Sequence, residues 1–348
     1  MSVGMGRTRC LSGLLLLLAA APLCAAPRSG SLAEPIGRVQ PKIVKIYGAG
    51  GYHGLEAYQS GITISPEGHI LTVFSYVLDS DEISVSLQDG RKFKARLLGA
   101  DPRMDVAVLK IDAGELPAFD LQQAVEAEAG TRVLAFSNLF GVATGNEPVS
   151  VQQGTIAVRT ELDARRGTFQ TPYHGPVYVL DVTTNNPGAA GGALVDRQGR
   201  LLGMLGKELR NAQNSTWLNY AIPIAELRQS VSEIRAGKFV ARDEGSKRDK
   251  PAKAASLAQW GVVLIPDILP RTPPYVDQVE AGSAADRAGL RADDLVMLVG
   301  DRLVQSCKAL REALEYVDFE DQVKLTVLRR QELLEFTLQG AGGRGQKE

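Results

Sequence analysis

At 348 residues, 44% of them hydrophobic and 23% charged, the chain has the composition of a packed globular protein of about two domains of 100–200 residues each, which excludes a disordered polymer. A formal net charge of −1 gives no electrostatic case for nucleic acid or an anionic membrane as partner.

Residues 1–26 read as an export signal. Arg7 and Arg9 precede the apolar run Leu11–Ala21, which fits the roughly 7–15 residues of a signal core and falls short of the roughly 20 needed to span a bilayer. The small residues Ala25 and Ala26 mark the cleavage point, so the mature chain is expected to be periplasmic or secreted, with no integral membrane span. Cys10 and Cys24 leave with the signal, Cys307 alone remains, and no intramolecular disulfide can form.

Residues 27–40 are polar and Pro-rich and read as an N-terminal tail. Over 41–236 short β-type runs alternate with turn signals. Ser65-Pro66-Glu67-Gly68 and Gln88-Asp89-Gly90-Arg91 are hairpin turns by composition, and many short strands at this spacing predict an all-β barrel or sandwich. Pro223–Arg235 places Ile224, Leu227, Val231 and Ile234 at helical spacing. The charged, apolar-poor stretch 237–256 reads as a linker. A second domain is expected over 257–340, with strands at Tyr275–Val279, Leu295–Val299, Val323–Leu328 and Leu334–Leu338. Its helices are predicted at Ser283–Ala288 and from Ser306 to Tyr316, and 341–348 reads as a C-terminal tail.

The stretch Asn186-Pro187-Gly188-Ala189-Ala190-Gly191-Gly192-Ala193-Leu194-Val195-Asp196 resembles the nucleophile loop of HtrA/DegP-type serine proteases, commonly NPGNSGGPLVN. Ala190 stands at the position of the nucleophilic serine. Ser60-Gly61-Ile62 through Val77 resembles the family's run leading to the catalytic histidine, and Ser75 stands at the histidine's position. Asp101-Pro102-Arg103-Met104-Asp105-Val106-Ala107-Val108-Leu109-Lys110 resembles DPrxDlAlLKI, which puts Asp105 at the triad carboxylate. Asn138-Leu139-Phe140-Gly141 and Tyr220-Ala221-Ile222-Pro223 resemble two further family motifs. The order 75, 105, 190 is the His…Asp…Ser order of chymotrypsin-like folds. The resemblance implies a mainly β fold, a chymotrypsin/trypsin-like double β-barrel, followed by a small α+β PDZ domain.

In that mechanism serine attacks, histidine takes its proton and aspartate fixes the histidine tautomer. Two of the three are absent. Loss of such a nucleophile costs on the order of 10⁶ in kcat, and a residual enhancement of roughly 10³–10⁴ over water comes from the oxyanion loop and binding. Asp105 is then expected as a buried acceptor for neighbouring backbone. The backbone N–H groups of Gly188 and Ala190 can still take a peptide carbonyl or carboxylate. Of the histidines outside the signal, His53, His69 and His174, none stands at the base position. Reversing Ser75 and Ala190 to His and Ser is expected to give weak proteolysis.

In the second domain Gln259-Trp260-Gly261-Val262 resembles the carboxylate-binding loop of PDZ domains. Val279–Leu290 and Arg291-Ala292-Asp293-Asp294-Leu295-Val296 resemble the segments that follow, with Ala292 in place of the usual Gly. The resemblance makes Trp260, Gly261, Val262, Leu310 and Leu314 the peptide-binding residues, with the peptide added as a strand beside Val262-Val263-Leu264. Ile265–Pro274 departs from the pattern in length and proline content. These features imply an exported pseudoprotease that binds unfolded polypeptides or peptide C-termini, with no cofactor and no metal. Family resemblance adds a homotrimer or a mixed assembly with an active paralogous protease. The alternative is an active serine endopeptidase with a displaced site.

Overall fold

The structure is a computed structural model, and it describes residues 1–2, 31–48, 57–80, 82–166, 169–239, 250–269, 272–300, 302–330 and 332–338. Nearly all of the predicted export signal, His53, the middle of the predicted linker and the C-terminal tail lie outside the described residues.

The first departure from expectation is at the start. Residues read as a tail include a short helix, α1 (Ala33–Val39), in which Pro35 and Val39 are buried. Pro35 and Gly37 make this a poor helix by propensity. Tertiary contact overrides that: Val39 and Pro35 pack at Gly199, and Arg38 donates to the Gln198 carbonyl at 3.0 Å.

The first barrel has six strands: β1 (Ile43–Tyr47), β2 (Tyr58–Thr63), β3 (His69–Val73), β4 (Ile83–Ser86), β5 (Lys92–Asp101) and β6 (Val106–Ile111). It closes in the order β1-β2-β3-β6-β5-β4. Both predicted turns form: Gly68 N–H donates to Ser65 O at 3.1 Å and Gly90 N–H to Leu87 O at 3.1 Å. Both glycines take positive φ, 95° and 85°, which closes the hairpins without a Cβ penalty.

Ten strands follow: β7 (Arg132–Ser137), β8 (Ser150–Glu161), β9 (Ala164–Arg166), β10 (Phe169–Gln170), β11 (Pro176–Leu180), β12 (Ala193–Asp196), β13 (Leu201–Leu205), β14 (Leu209–Asn211), β15 (Trp217–Leu218) and β16 (Tyr220–Pro223). The second barrel closes as β11-β16-β13-β12-β7-β8, and β10-β9-β14-β15 form a small separate sheet. β12 and β13 are buried at every position, as expected of short continuous apolar runs. The helix α2 (Ile224–Arg235) follows β16 directly and buries Ile224, Leu227, Val231 and Ile234, the face its sequence spacing predicts.

The predicted linker is built into its neighbours at both described ends. Phe239 is buried and its carbonyl accepts from Ala100 N–H at 3.0 Å, at the end of β5. Ala255 N–H donates to Val317 O at 2.8 Å in the C-terminal domain.

That domain contains β17 (Val262–Leu264), β18 (Val276–Val279), α3 (Ala284–Ala288), β19 (Leu295–Val299), β20 (Arg302–Leu303), α4 (Cys307–Leu314), β21 (Val323–Arg329) and β22 (Glu332–Leu338). β17 pairs with β18, and β20-β19-β21-β22 form a second sheet. Ser283 and Ser306 cap α3 and α4 through their hydroxyls, and Gly289 ends α3 in the left-handed conformation, which are the caps the sequence signals. Asp294, fully buried, accepts from Arg329 Nε at 2.6 Å and Nη2 at 2.8 Å. The arginine joins β21 to the start of β19.

Candidate functional site: a cleft between the barrels

The turn between β5 and β6 carries the first element of the site. Asp101 is buried and organises it, accepting from Arg103 N at 3.1 Å, Arg103 Nε at 2.9 Å and Ser230 Oγ of α2 at 2.8 Å. Asp105 then sits at φ 56°, a left-handed conformation uncommon outside Gly, Asn and Asp. Its carbonyl accepts from Phe74 N–H at 3.0 Å, and Val73 faces Val106 in the β3/β6 ladder. Position 75 is thereby held next to the Asp105 turn.

Ser75 is not poised as a nucleophile. Its hydroxyl caps the short turn Tyr76–Leu78 by accepting from Val77 N–H at 3.1 Å, and donates to Gln59 Oε1 at 2.5 Å. Gln59 is buried and donates in turn to Thr72 Oγ1 at 2.7 Å and Val73 O at 3.1 Å. The hydroxyl proton is committed to an amide oxygen, which has no basicity to offer.

The glycine-rich loop keeps a constrained shape. Gly188 has φ 85°, and a Cβ there would lie 2.0 Å from Asn138 O. At Gly191, φ 81°, a Cβ would lie 2.3 Å from Ser60 O. Ser60 on β2 pins the loop from the first barrel: its N–H donates to Ala190 O at 2.9 Å, its Oγ donates to Gly188 O at 2.6 Å, and the same Oγ accepts from Asn138 N–H at 2.8 Å. The N–H groups of Gly188 and Ala190 donate to no group among the described residues. Asn186, 3% exposed, donates from Nδ2 to Thr183 O, while its buried Oδ1 has no partner among the described residues.

These groups line one cleft of about 400 Å³, counted with its space open to solvent, together with Tyr58, Gln59, Ser75, Lys207 and Glu208. Lys207, just after β13, was not singled out from the sequence. Its ammonium pairs with Asp105 Oδ1, and its side chain is 24% exposed against 6% for Asp105. The expectation that Asp105 serves neighbouring backbone is corrected here, because its side chain is taken by a lysine from the other barrel. Burial pushes the Asp105 carboxyl above the usual range, with the Lys207 charge and hydrogen bond pulling the other way. Tyr220, fully buried on β16 with its hydroxyl accepting from Lys207 N–H at 3.1 Å, has its phenol held far above normal by burial and by the Asp105 charge.

The described histidines lie elsewhere. His69 Nδ1 is 2.7 Å from Ser65 Oγ at the turn end of β3, and burial, with the nearby Arg235 and Lys110, lowers its pKa. His174 is exposed. Neither lines the cleft. Among the described residues no cluster of His, Cys, Asp and Glu is fit to hold a metal ion.

In the C-terminal domain the five residues assigned to peptide binding come together, but as core. Trp260 and Leu310 are 0% exposed, Leu314 2% and Val262 4%, all in one buried cluster. Gly261 has φ 72°, and its N–H already donates to Ala258 O at 3.1 Å, closing the turn Leu257–Trp260. β17 has β18 on one side and no other strand beside it among the described residues, and Val263 is exposed on it. Asp267, in the segment after β17, pairs with Arg311 of α4 at 2.7 Å. The loop that departs from the family pattern is thus tied to the helix opposite β17.

Two closed six-stranded barrels with a cleft between them, followed by a small α+β domain, define a trypsin-like double barrel joined to a PDZ domain. Family comparison agrees: residues 59–204 match the trypsin-like peptidase domain and residues 275–329 the PDZ domain. A probable periplasmic serine endoprotease, DegP-like, of Halomonas elongata is 32% identical over 298 residues, covering 82% of this chain and 58% of that protein. The serine endoprotease DegS of Haemophilus influenzae is 27% identical over 279 residues, covering 79% of this chain and 74% of that one. The chain spans only 52–58% of the length of the first DegP-like relatives. A solved structure, the HtrA-type protease AlgW with decapeptide, superposes with a TM-score of 0.47 at 22% identity, covering 89% of this chain and 98% of that one. The two domains and the DegP and DegS relatives support membership of the HtrA family.

Proposed function

We propose that this chain is an exported HtrA-like pseudoprotease that binds unfolded polypeptides or peptide C-termini without cleaving them. The observation that carries the reading is the state of the cleft. A methyl group stands where the nucleophile belongs, the hydroxyl at the base position is bonded to Gln59, and Asp105 is occupied by Lys207. The unused N–H groups of Gly188 and Ala190 and the unpaired Asn186 Oδ1 suit a peptide backbone, which offers both an acceptor and a donor. The free edge of β17 suits strand addition, and α4 must shift for a C-terminal side chain to reach Trp260, Leu310 and Leu314. Export to the periplasm is inferred from the periplasmic DegP-like relatives and the signal-like residues 1–26. Among the described residues no helix is long and apolar enough to cross a membrane. We place the protease-like domain at 41–236 and the PDZ domain at 257–340, and include assembly as a homotrimer or with an active paralogue.

The test is digestion of unfolded casein by the purified protein, with a fluorophosphonate probe and titration of a peptide bearing a hydrophobic C-terminus. The expected result is no cleavage, no covalent labelling and saturable binding. Cleavage accompanied by labelling would overturn the proposal.

A further inference from the structure

We propose that Lys207 is a third residue, beside Ser75 and Ala190, that disables the site. Its ammonium occupies the carboxylate of Asp105 that an imidazole at position 75 would need, and ties the two barrels together beside the cleft. The inference rests on the reading of positions 75, 105 and 190 as a former triad, and goes beyond it by naming a residue that no motif marks.

The geometry gives the reason. Asp105 belongs to the β5–β6 turn of the first barrel and Lys207 follows β13 of the second, so this ion pair joins the two barrels. Lys207 is the partner that holds the Asp105 side chain, which is only 6% exposed and receives little help from water. Position 75 is brought beside the same turn by the Phe74 N–H···O Asp105 bond, and Ser75 and Lys207 line the same cleft. An orienting carboxylate in a triad must accept the imidazole N–H and stabilise the imidazolium that forms. Here that capacity is spent on the Lys207 ammonium. A second positive charge beside the ammonium is repelled, which disfavours the protonated form that general-base catalysis has to reach. Of the other ionisable groups near the pair, Tyr220 is kept neutral by burial, and Glu208 lies on the wall of the cleft, present alike in every variant compared below.

Reversing the two obvious replacements therefore falls short. The experiment compares Ser75→His/Ala190→Ser with the same pair carrying Lys207→Met. A further variant carrying Lys207→Gln, whose amide still donates to Asp105, guards against loss of folding. The primary readout is the titration of the new imidazole by ¹H–¹³C NMR, assigned by difference from the parent. We expect its protonation constant to be about tenfold higher, one pKa unit, once the ammonium is gone. Casein hydrolysis should rise at least about tenfold over the Lys207-containing pair, the value of one pKa unit of interaction at the base. An imidazole that titrates identically with and without Lys207, or a double reversal as active as the triple, overturns the inference. Cleavage by the unmodified chain would instead sink the pseudoprotease reading, so the two failures are distinguishable.

Discussion

Removing either partner of the Asp105–Lys207 pair should have very unequal consequences for stability. Lys207→Met leaves a carboxylate that is 6% exposed without its ammonium. Breaking a buried pair in this way costs about 3–5 kcal/mol. Lys207 is 24% exposed and water can enter where it stood, so we expect a cost about 1 kcal/mol below that range, about 2–4 kcal/mol at pH 7. Asp105→Asn leaves only a lysine that can turn toward the cleft, and replaces a charge whose burial is unfavourable. Its cost should be about 0–1 kcal/mol. The double variant Lys207→Met/Asp105→Asn should then recover most of the loss, with a coupling of about 1–3 kcal/mol.

The pH dependence gives a second handle with a definite sign. Burial raises the folded-state pKa of Asp105, so the folded chain holds its proton to higher pH than the unfolded chain does. The stability this contributes is present below the unfolded pKa of about 3.9 and is lost as pH rises through the raised folded value. Without Lys207 the pKa rises further, so the Lys207→Met penalty should shrink on moving from pH 7 to pH 4. Urea unfolding followed by far-UV circular dichroism measures the barrels, while tryptophan emission reports mainly Trp260 in the PDZ core. Only the first should move. A Lys207→Met variant as stable as the parent at pH 7, or one whose penalty grows on acidification, refutes the reasoning.

Other substitutions test the neighbouring structure. Gly188→Ala should destabilise by about 2–4 kcal/mol, because φ is 85° and the added methyl meets Asn138 O at 2.0 Å; a loss under about 1 kcal/mol in urea would show that the loop relaxes freely. Ser75→Ala removes a turn cap and the bond to Gln59 and should cost about 1–2 kcal/mol in the same assay, with no effect on casein. Arg311→Ala frees the segment after β17 from α4. Because the pair is exposed and worth about 0.2–1 kcal/mol, peptide affinity measured by fluorescence anisotropy should rise by about 1.4- to 5-fold; a fall would mean that the pair supports the groove instead of restraining it. Gly261→Asp should abolish peptide binding and also destabilise the PDZ domain, since a Cβ there lies 2.4 Å from Ser283 Cβ at φ 72°, so loss of binding from it alone cannot be assigned to charge.

What the sequence disclosed was whatever has a local signature. The Ser65–Gly68 turn, the α2 face and the helices beginning at Ser283 and Ser306 depend on residues within a few positions of one another and formed as read, while the turn read at Gln88–Arg91 closes one residue earlier, at Leu87–Gly90. The three positions 75, 105 and 190 were legible because flanking motifs fix their order. Lys207 was not, because its importance lies in a partner 102 positions away, and nothing around Gly206-Lys207-Glu208 marks it. Helix α1 was missed for a related reason: its propensity is poor and its stabilising contacts come from Gln198 and Gly199. At Trp260, Leu310 and Leu314 the pattern named the right neighbours, yet it could not tell a groove wall from a core, since both require the same apolar side chains.

The glycine-rich loop also shows how packing alone can hold a sequence signature in place. Ser60 of the first barrel satisfies backbone groups in two segments of the second, and Gly188 and Gly191 each let a neighbouring carbonyl approach closer than any side chain would allow. Those bonds connect β2, the segment after β7 and the loop before β12, so the two barrels rely on them whether or not a nucleophile is present. A serine hydroxyl at position 190 contributes little to that network, and its replacement by methyl leaves the loop intact. A glycine at 191 cannot be exchanged without moving the Ser60 backbone of the opposite barrel, nor one at 188 without moving the Asn138 backbone of its own. Retention of the loop is therefore evidence about packing, and the chemistry must be judged from the side chains at 75, 105, 190 and 207.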